Sequence, residues 1–211
     1  MQTEPQPDPD RQLVAQAAAG DREAFDALVR RHGTRVVNIA RALTGGDNDA
    51  EDLAQEVFVR AYRGLKSFRG DSSFTTWLYT VTLNVVRSHR SRRSRWRALW
   101  APALDEDTEQ KVAVKTNADR GPEADLVRRN AIDIALAALP DELRTAVTLR
   151  DVEGLEYAEI AQVMGIPIGT VESRIFRARK RLRALLEPLL AGSRSGPGRA
   201  PRLSAIPAQD V

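Results

Sequence analysis

The chain has 211 residues, of which 42% are hydrophobic and only 5% aromatic, so it is long enough for one ordinary domain or two small ones with aliphatic cores. Because 29% of the residues are charged, no apolar stretch approaches the roughly 18–20 residues of a membrane span, and no apolar run follows the N-terminus as in a secretory signal. The chain contains no cysteine, which excludes disulfides and thiolate metal sites and fits a reducing cytosol. These features predict a cytoplasmic protein without membrane insertion.

The charged residues are unevenly distributed, although the net charge is only +3. Residues 47–56 hold five acids and no base, whereas residues 87–97 hold six arginines and no acid. Residues 173–183 hold five arginines and one lysine, again without an acid. Two basic blocks and one acidic block indicate two kinds of macromolecular partner.

Apolar residues recur at helical spacing through the first half of the chain. After a proline-containing, disordered lead over residues 1–10, the spacing predicts a short helix, a long helix capped by Asp21 and ended by Gly45, and an amphipathic third helix. A loop then precedes a helix that begins near Phe74 and runs into the first arginine block. Since no segment alternates with period two, residues 11–96 predict a helical bundle.

Residues 97–125 lose this periodicity and predict a flexible linker. Helical patterning returns over residues 126–190, with breaks at Pro140 and Gly154, and residues 191–211 have the composition of a disordered tail. The predicted fold class is therefore all-α, with two small helical domains joined by a linker.

Residues 157–176, YAEIAQVMGIPIGTVESRIF, have the spacing of a helix-turn-helix. Gly165 permits a sharp turn, Pro167 stops the first helix, and Val171 and Ile175 face inward from the second. We expect the exposed side of that second helix to enter a DNA groove, with Arg174 on a base edge and Arg177 on phosphate. The alternative is a surface helix with solvated arginines. The predicted DNA-contacting residues are Thr170, Ser173, Arg174, Phe176, Arg177 and Lys180.

Three segments together resemble the extracytoplasmic-function (ECF) sigma factors of bacterial RNA polymerase. They are DAEDLAQEVFVRAY at 49–62, FRGDSSFTTWLYTVTLN at 68–84 and ALPDELRTAVTLRDVEGLEYAEIAQVMGIPIGTVESRIFRARKRL at 138–182. The resemblance implies a first domain, region 2, that binds the clamp of the largest polymerase subunit and melts and reads the minus-ten promoter element. It implies a second domain, region 4, that reads the minus-thirty-five element and packs on the flap of the second-largest subunit. It also implies an anti-sigma factor as partner, no cofactor and no catalytic residue.

The resemblance assigns roles to particular residues of region 2. Its polymerase-binding residues would be Asp49, Asp52, Gln55 and Glu56. Its minus-ten contacts would be Phe68, Arg69, Asp71, Ser72, Trp77, Tyr79, Asn84, Arg87 and Arg90. The alternative for Asp49 is an acid that is favoured only by the helix macrodipole, and Trp77 is equally well explained as a core residue. The family often has arginine before the asparagine, where this chain has Leu83.

Two other classes of protein compete with this interpretation. A stand-alone helix-turn-helix regulator accounts for residues 157–176 but leaves the acidic motif and the first arginine block unexplained. A metal-dependent nuclease would use Asp49, Asp52 and Glu56, but the helix face that carries two of these acids also carries arginines. We therefore expect no metal site.

Overall fold

The structure is a computed structural model that describes residues 8–45, 49–100 and 131–192, with side chains up to residue 96 in the second range and 187 in the third. The predicted lead up to residue 7, most of the predicted linker and the tail from residue 193 lie outside the described residues. The described residues contain no strand, so the all-α prediction is confirmed.

Four helices form the first half, and a single 3₁₀ turn, Leu65–Ser67, follows the third of them. Their bounds are α1 Arg11–Ala18, α2 Arg22–Thr44, α3 Ala50–Gly64 and α4 Phe74–Trp100. In the second half, α6 continues into a wider π-helical turn, Thr148–Val152. The helices there are α5 over 131–137, α6 Asp141–Val147, α7 Tyr157–Met164 and α8 Ile168–Gly192.

Local side-chain chemistry sets the ends of the helices, as predicted. The Asp21 carboxylate accepts hydrogen bonds from the backbone N–H groups of Glu23 and Ala24, at 2.9 and 3.2 Å, and so caps α2. Gly45 ends that helix at a φ of 77°, in the left-handed region that glycine adopts without steric cost.

The apolar faces of the helices meet in one core. Its central side chains, which are almost entirely shielded from solvent, include Leu28, Val36, Ile39, Val57, Leu65, Leu78 and Val85. Burying each of these side chains contributes about 1.5–3 kcal/mol relative to leaving it exposed, which makes this core the main stabilising term.

The two halves of the chain share this core. Leu149, Leu155, Ile160 and Val171 of the second half belong to the same buried cluster as the side chains of α2 and α4. A smaller satellite cluster of Leu136, Leu139, Leu143, Val147 and Ala178 holds α5, α6 and α8 together. The sequence predicted two domains without predicting this contact, because periodicity shows which face of a helix is apolar and not what covers it.

The last residues assigned to the lead are part of the folded bundle. Asp10 is only 1% exposed, and its Oδ2 lies 2.7 Å from the Nε2 of the buried His32. Its other carboxylate oxygen pairs with Arg31. A buried carboxylate needs such partners, since an unpaired charge out of water is costly. In the described part of the chain, no helix has the length and apolar character required to cross a membrane.

Candidate nucleic-acid interface

The acidic helix α3 presents a mixed polar and apolar ridge to solvent. Asp52 and Gln55 are exposed, and along the same side of the helix Val59 and Tyr62 are 48% and 42% exposed. Phe25, Phe58, Val59, Tyr62 and Arg63 line a shallow groove of about 360 Å³ beside this ridge. The apolar part of the ridge was not predicted, because Tyr62 also fits the helical spacing of core residues.

The other two predicted polymerase-binding acids have partners within the chain. The Glu56 carboxylate accepts hydrogen bonds from Arg60 at 2.6 Å and from Arg92 of α4 at 3.2 Å. Partial burial by itself would raise the pKa of Glu56, but the hydrogen bonds and charges of these two arginines outweigh it and lower that pKa. Asp49 lies 3.3 Å from the Nε2 of His89.

The contacts of Glu56 argue against a metal-dependent nuclease, the alternative that would use this acid as a metal ligand. Each oxygen of Glu56 faces an arginine, so the carboxylate is already engaged by positive charge. Over the residues that the structure describes, no group of three or more histidine, aspartate or glutamate side chains converges. The acids of α3 are therefore arranged as a helix surface.

An exposed turn precedes α4. Arg69 and Asp71, whose side chains are 84% and 75% exposed, form an ion pair at 3.2 Å across Gly70, and the partly exposed Ser72 follows them. Gly70 has a φ of 76°, a backbone conformation that favours glycine. The polar side chains of this loop are thus held out toward solvent.

An aromatic cluster of Phe68, Phe74 and Trp77 lies where this loop meets α4. The ring centroid of Phe68 lies 5.1 Å from that of Trp77 and 6.3 Å from that of Phe74. Phe68 and Trp77 are half-buried, whereas Phe74 is fully buried. Trp77 also packs over Gly64, where an added Cβ would lie 3.3 Å from the indole ring. Trp77 is therefore a core residue with one exposed edge.

The predicted contact residues of α4 lie on two different faces. Asn84 and Arg87 are exposed, while the neighbouring Leu83 is buried in the core. Tyr79, in contrast, is only 1% exposed and donates a hydrogen bond from its hydroxyl to Glu153, at 2.7 Å. Burial, reinforced by the Glu153 carboxylate, raises the pKa of Tyr79.

Arg90 completes the predicted contacts of α4. It forms an ion pair with Asp141 at the start of α6. Two of the predicted contact residues in region 2, Tyr79 and Arg90, are therefore engaged by acids of the second half.

The helix-turn-helix has the predicted geometry. α7 ends at Gly165, which has a φ of 67°, and α8 begins directly after Pro167, with Val171 and Ile175 buried. The outer face of α8 exposes Ser173, Phe176, Arg177 and Lys180, and Phe176 is 71% exposed. Thr170, at the start of this face, is partly buried.

Arg174 does not lie where the sequence placed it. We expected it on the side of α8 away from Val171 and Ile175, but its side chain is only 14% exposed and lies 2.6 Å from a carboxylate oxygen of Glu142. Glu142 lies in the first turn of α6, and its ion pair with Arg174 holds the Arg174 guanidinium between α6 and α8. Arg177 is exposed, and its guanidinium bonds to Ser173 one turn earlier on the same helix.

Comparison with known proteins decides the family. The family model of sigma-70 region 2 matches residues 28–96, and that of sigma-70 region 4 matches residues 129–182. The RNA polymerase sigma-H factor of Pseudomonas aeruginosa is 40% identical over 86% of this chain and 95% of its own length. The chain belongs to the ECF sigma factors. The ECF RNA polymerase sigma-E factor of Escherichia coli K12 is 38% identical to this ECF sigma factor, over 86% of the chain and 96% of its own length.

Two solved structures are similar to this ECF sigma factor. CnrH, in complex with the cytosolic domain of CnrY, has a TM-score of 0.62 at 31% identity and covers 85% of this chain and 97% of its own. The sigma factor RpoE of Bartonella quintana, in complex with the anti-sigma factor NepR, has a TM-score of 0.64 at 27% identity, over 77% of this chain and 96% of its own. The family and these structures favour a sigma factor over a stand-alone regulator.

Proposed function

We propose that this sigma factor directs core RNA polymerase to specific promoters, with region 2 reading and holding open the minus-ten element and region 4 reading the minus-thirty-five element. The observation that carries the proposal is the presence of two separate exposed faces for nucleic acid, the loop 68–73 with α4 and the outer face of α8, in a chain 40% identical to an RNA polymerase sigma factor. The protein contributes binding and no covalent chemistry. It acts on DNA in the cytoplasm.

The ridge of α3 is the proposed surface for the clamp of the largest polymerase subunit. Asp52 and Gln55 supply its polar part, and Val59 and Tyr62 extend it with apolar area beside the shallow groove. An acidic rim steers a basic partner, while desolvated apolar contacts supply affinity. Glu56 and Asp49 contribute by holding α3 against Arg92 and His89 of α4.

The loop 68–73 is the proposed reader of the melted minus-ten strand. Arg69, Asp71 and Ser72 offer donors and acceptors to the pairing edge of an unpaired base. Phe68 and Trp77 are partly exposed and supply aromatic surface on which an unpaired base stacks. Farther along α4, Asn84 contacts the strand and the exposed Arg87 holds a backbone phosphate, whereas Arg90 must first leave Asp141 to do the same.

The outer face of α8 is the proposed reader of the minus-thirty-five element. Arg177 is better placed for a base edge than Arg174, because Glu142 already engages the Arg174 guanidinium. Ser173 and Phe176 flank it, Thr170 stands at the helix start and Lys180 reaches a phosphate. Region 4 also packs on the flap of the second-largest subunit.

A protein inhibitor is a further proposed partner. CnrH and the Bartonella RpoE, both similar to this chain in fold, were solved in complex with the cytosolic domain of CnrY and with the anti-sigma factor NepR. We expect an anti-sigma factor to bind this protein as well and to hold it inactive.

Transcription from a promoter library tests the proposed function. The purified protein is added to core polymerase and a library with randomised promoter elements, and the transcripts are sequenced. We expect transcripts that share one minus-ten and one minus-thirty-five sequence, and none when the protein is omitted. Tight operator binding without polymerase, together with no specific transcript, would instead identify a stand-alone regulator.

A further inference from the structure

Glu172 is an acid on the face of α8 that we propose to enter the DNA. Its side chain is exposed, as are those of Ser173, Phe176 and Lys180 on the same outer face. It directly follows the first turn of a helix that begins at Ile168, and the N-terminal residues of such a helix reach the base edges. DNA is a polyanion, so a carboxylate at this position opposes binding unless it meets a hydrogen-bond donor.

The usual structural reasons for an acid on a helix do not account for Glu172. The helix macrodipole favours acids in the first turn, but the first turn of α8 holds none and Glu172 comes after it. The residues three and four positions away on either side are Ile168, Gly169, Ile175 and Phe176. None of these residues is basic, so Glu172 has no partner for the ion pairs that commonly stabilise a helix surface.

Two arginines of the same helix are bound to other acids rather than to Glu172. Arg174 pairs with Glu142 at 2.6 Å, and the Nε of Arg179 donates to the Asp151 carboxylate at 3.1 Å. Among the residues that the structure describes, Glu172 has neither a hydrogen-bond nor an ion-pair partner for its carboxylate. Its negative charge is therefore available to a ligand.

Exposed apolar side chains lie one turn before and one turn after this carboxylate. Ile168 is 47% exposed and Phe176 is 71% exposed. On a DNA-reading helix, apolar side chains contact thymine methyl groups. Because they also exclude water, a hydrogen bond that the Glu172 carboxylate makes between them is electrostatically stronger than one in bulk solvent.

Only one base presents a major-groove edge that suits a carboxylate. Guanine presents two acceptors and thymine presents one, and these repel negative oxygens. Adenine presents its N6 donor beside the N7 acceptor, which would face the second carboxylate oxygen. Cytosine presents its N4 amino group as the sole hydrogen-bonding group. A carboxylate therefore distinguishes cytosine from the other three bases.

We propose that Glu172 determines specificity within the minus-thirty-five element by accepting a hydrogen bond from the N4 amino group of a cytosine. The inference rests on the proposed function of region 4. The carboxylate also repels an acceptor base at the same position, so it acts against wrong sequences as well as for the right one. Arg177 lies about 140° farther round the helix, so the two side chains reach different base pairs.

Transcription from a promoter library, with core polymerase and the full chain, tests this role. The library is randomised over the minus-thirty-five element and transcribed with the unaltered protein, with Glu172→Gln and with Glu187→Gln. Glu187 is an exposed acid about 22 Å farther along α8, so its variant carries the same change in charge. We expect the unaltered protein and Glu187→Gln to favour cytosine at one position, at least about fivefold over any other base. Glu172→Gln is expected to favour adenine there, because an amide binds adenine N6 and N7 together.

Removal of one functional group from the DNA gives a second reading. The cytosine that the library identifies is replaced with 2-pyrimidinone, which lacks the N4 amino group, and binding of the polymerase complex to this promoter is titrated. We expect the replacement to weaken binding by the unaltered protein at least about fivefold more than binding by Glu172→Ala. Since the side chain is exposed, the melting temperatures of the Glu172 variants are expected to stay nearly unchanged.

The outcomes separate this inference from the proposed function. If Glu172→Gln and Glu187→Gln select the same sequences, or if 2-pyrimidinone weakens binding by the unaltered protein and by Glu172→Ala equally, Glu172 does not read a cytosine. In both cases specific transcripts from the unaltered protein would leave the proposed function intact. A lack of specific transcripts from the unaltered protein would refute the proposed function and this inference with it.

Discussion

A carboxylate oxygen of Asp8 accepts a hydrogen bond from the backbone N–H of Phe74, at 2.7 Å, across 66 residues of sequence. Phe74 is the first residue of α4 and directly follows the proposed promoter-reading loop 68–73. Its N–H is one of those that a helix start leaves without an intrahelical partner, so Asp8 acts as a cap supplied from a distance. The segment before α1 therefore helps to fix where the loop ends.

Asp8→Ala is expected to destabilise the protein by about 1 kcal/mol, the usual cost of losing a helix cap. Urea denaturation of the variant and of Asp26→Ala, an exposed acid of α2, measures the difference. Equal unfolding midpoints for the two variants would mean that Asp8 does not support α4.

Replacing both Asp52 and Gln55 with alanine is expected to weaken binding to core polymerase while the melting temperature stays nearly unchanged. The two side chains are exposed on α3, so their loss removes contacts to a partner and no core packing. Titration in a pull-down assay measures the affinity, and Glu51→Ala, an exposed acid in the same first turn, is the control. Unaltered affinity of the double variant would refute the proposed polymerase surface.

Arg177→Ala is expected to weaken promoter binding at one base pair of the minus-thirty-five element by about 1–3 kcal/mol, as for a lost bidentate base contact. Arg174→Ala is expected to lower the stability of region 4 instead, because it removes a side chain that is only 14% exposed and its ion pair with Glu142. Titration of minus-thirty-five variants at several salt concentrations, together with thermal unfolding, measures both effects. If Arg177→Ala weakens all sequences alike and lowers the salt slope by about one, its guanidinium binds phosphate.

Acidification is expected to destabilise the unaltered protein more than the variant Glu56→Gln. The folded-state pKa of Glu56 is lowered from its ordinary value of 4.5, with partial burial opposing the stronger effect of Arg60 and Arg92. The carboxylate therefore stabilises the fold above pH 4.5 and loses this contribution as the pH falls through its folded-state pKa. Urea denaturation at a series of acidic pH values measures the two slopes, and parallel slopes would contradict the assignment.

Local chemistry allowed several helix ends to be predicted from the sequence. Asp21 caps α2, Gly45 ends it and Gly165 forms the turn of the helix-turn-helix, because each of these depends on neighbours within a few residues. The inward positions of Val171 and Ile175 followed from helical spacing in the same way.

The positions of Tyr79 and Arg174 could not be predicted, because their partners are distant in sequence or on another helix. Glu153 follows Tyr79 by 74 residues, and Glu142 reaches Arg174 from α6. The helical pattern shows that Tyr79 and Arg174 lie outside the apolar stripes of their helices. It does not distinguish a surface left open for DNA from one covered by another part of the chain.

Helix α4 continues without a break for 27 residues, from the loop to Trp100, which is about 40 Å at the usual helical rise. Because each residue turns the helix by about 100°, an unbroken helix fixes the direction in which the arginines point around its axis relative to the loop. One residue inserted between Asn84 and Arg87 would swing the arginines away from the side that Asn84 faces. Seven inserted residues would restore that direction and move the arginines by about 10 Å, or about three base steps along the DNA. Under the proposed function, the length of α4 between the loop and the arginines therefore sets the distance along the DNA between the bases that the loop reads and the phosphates that the arginines bind.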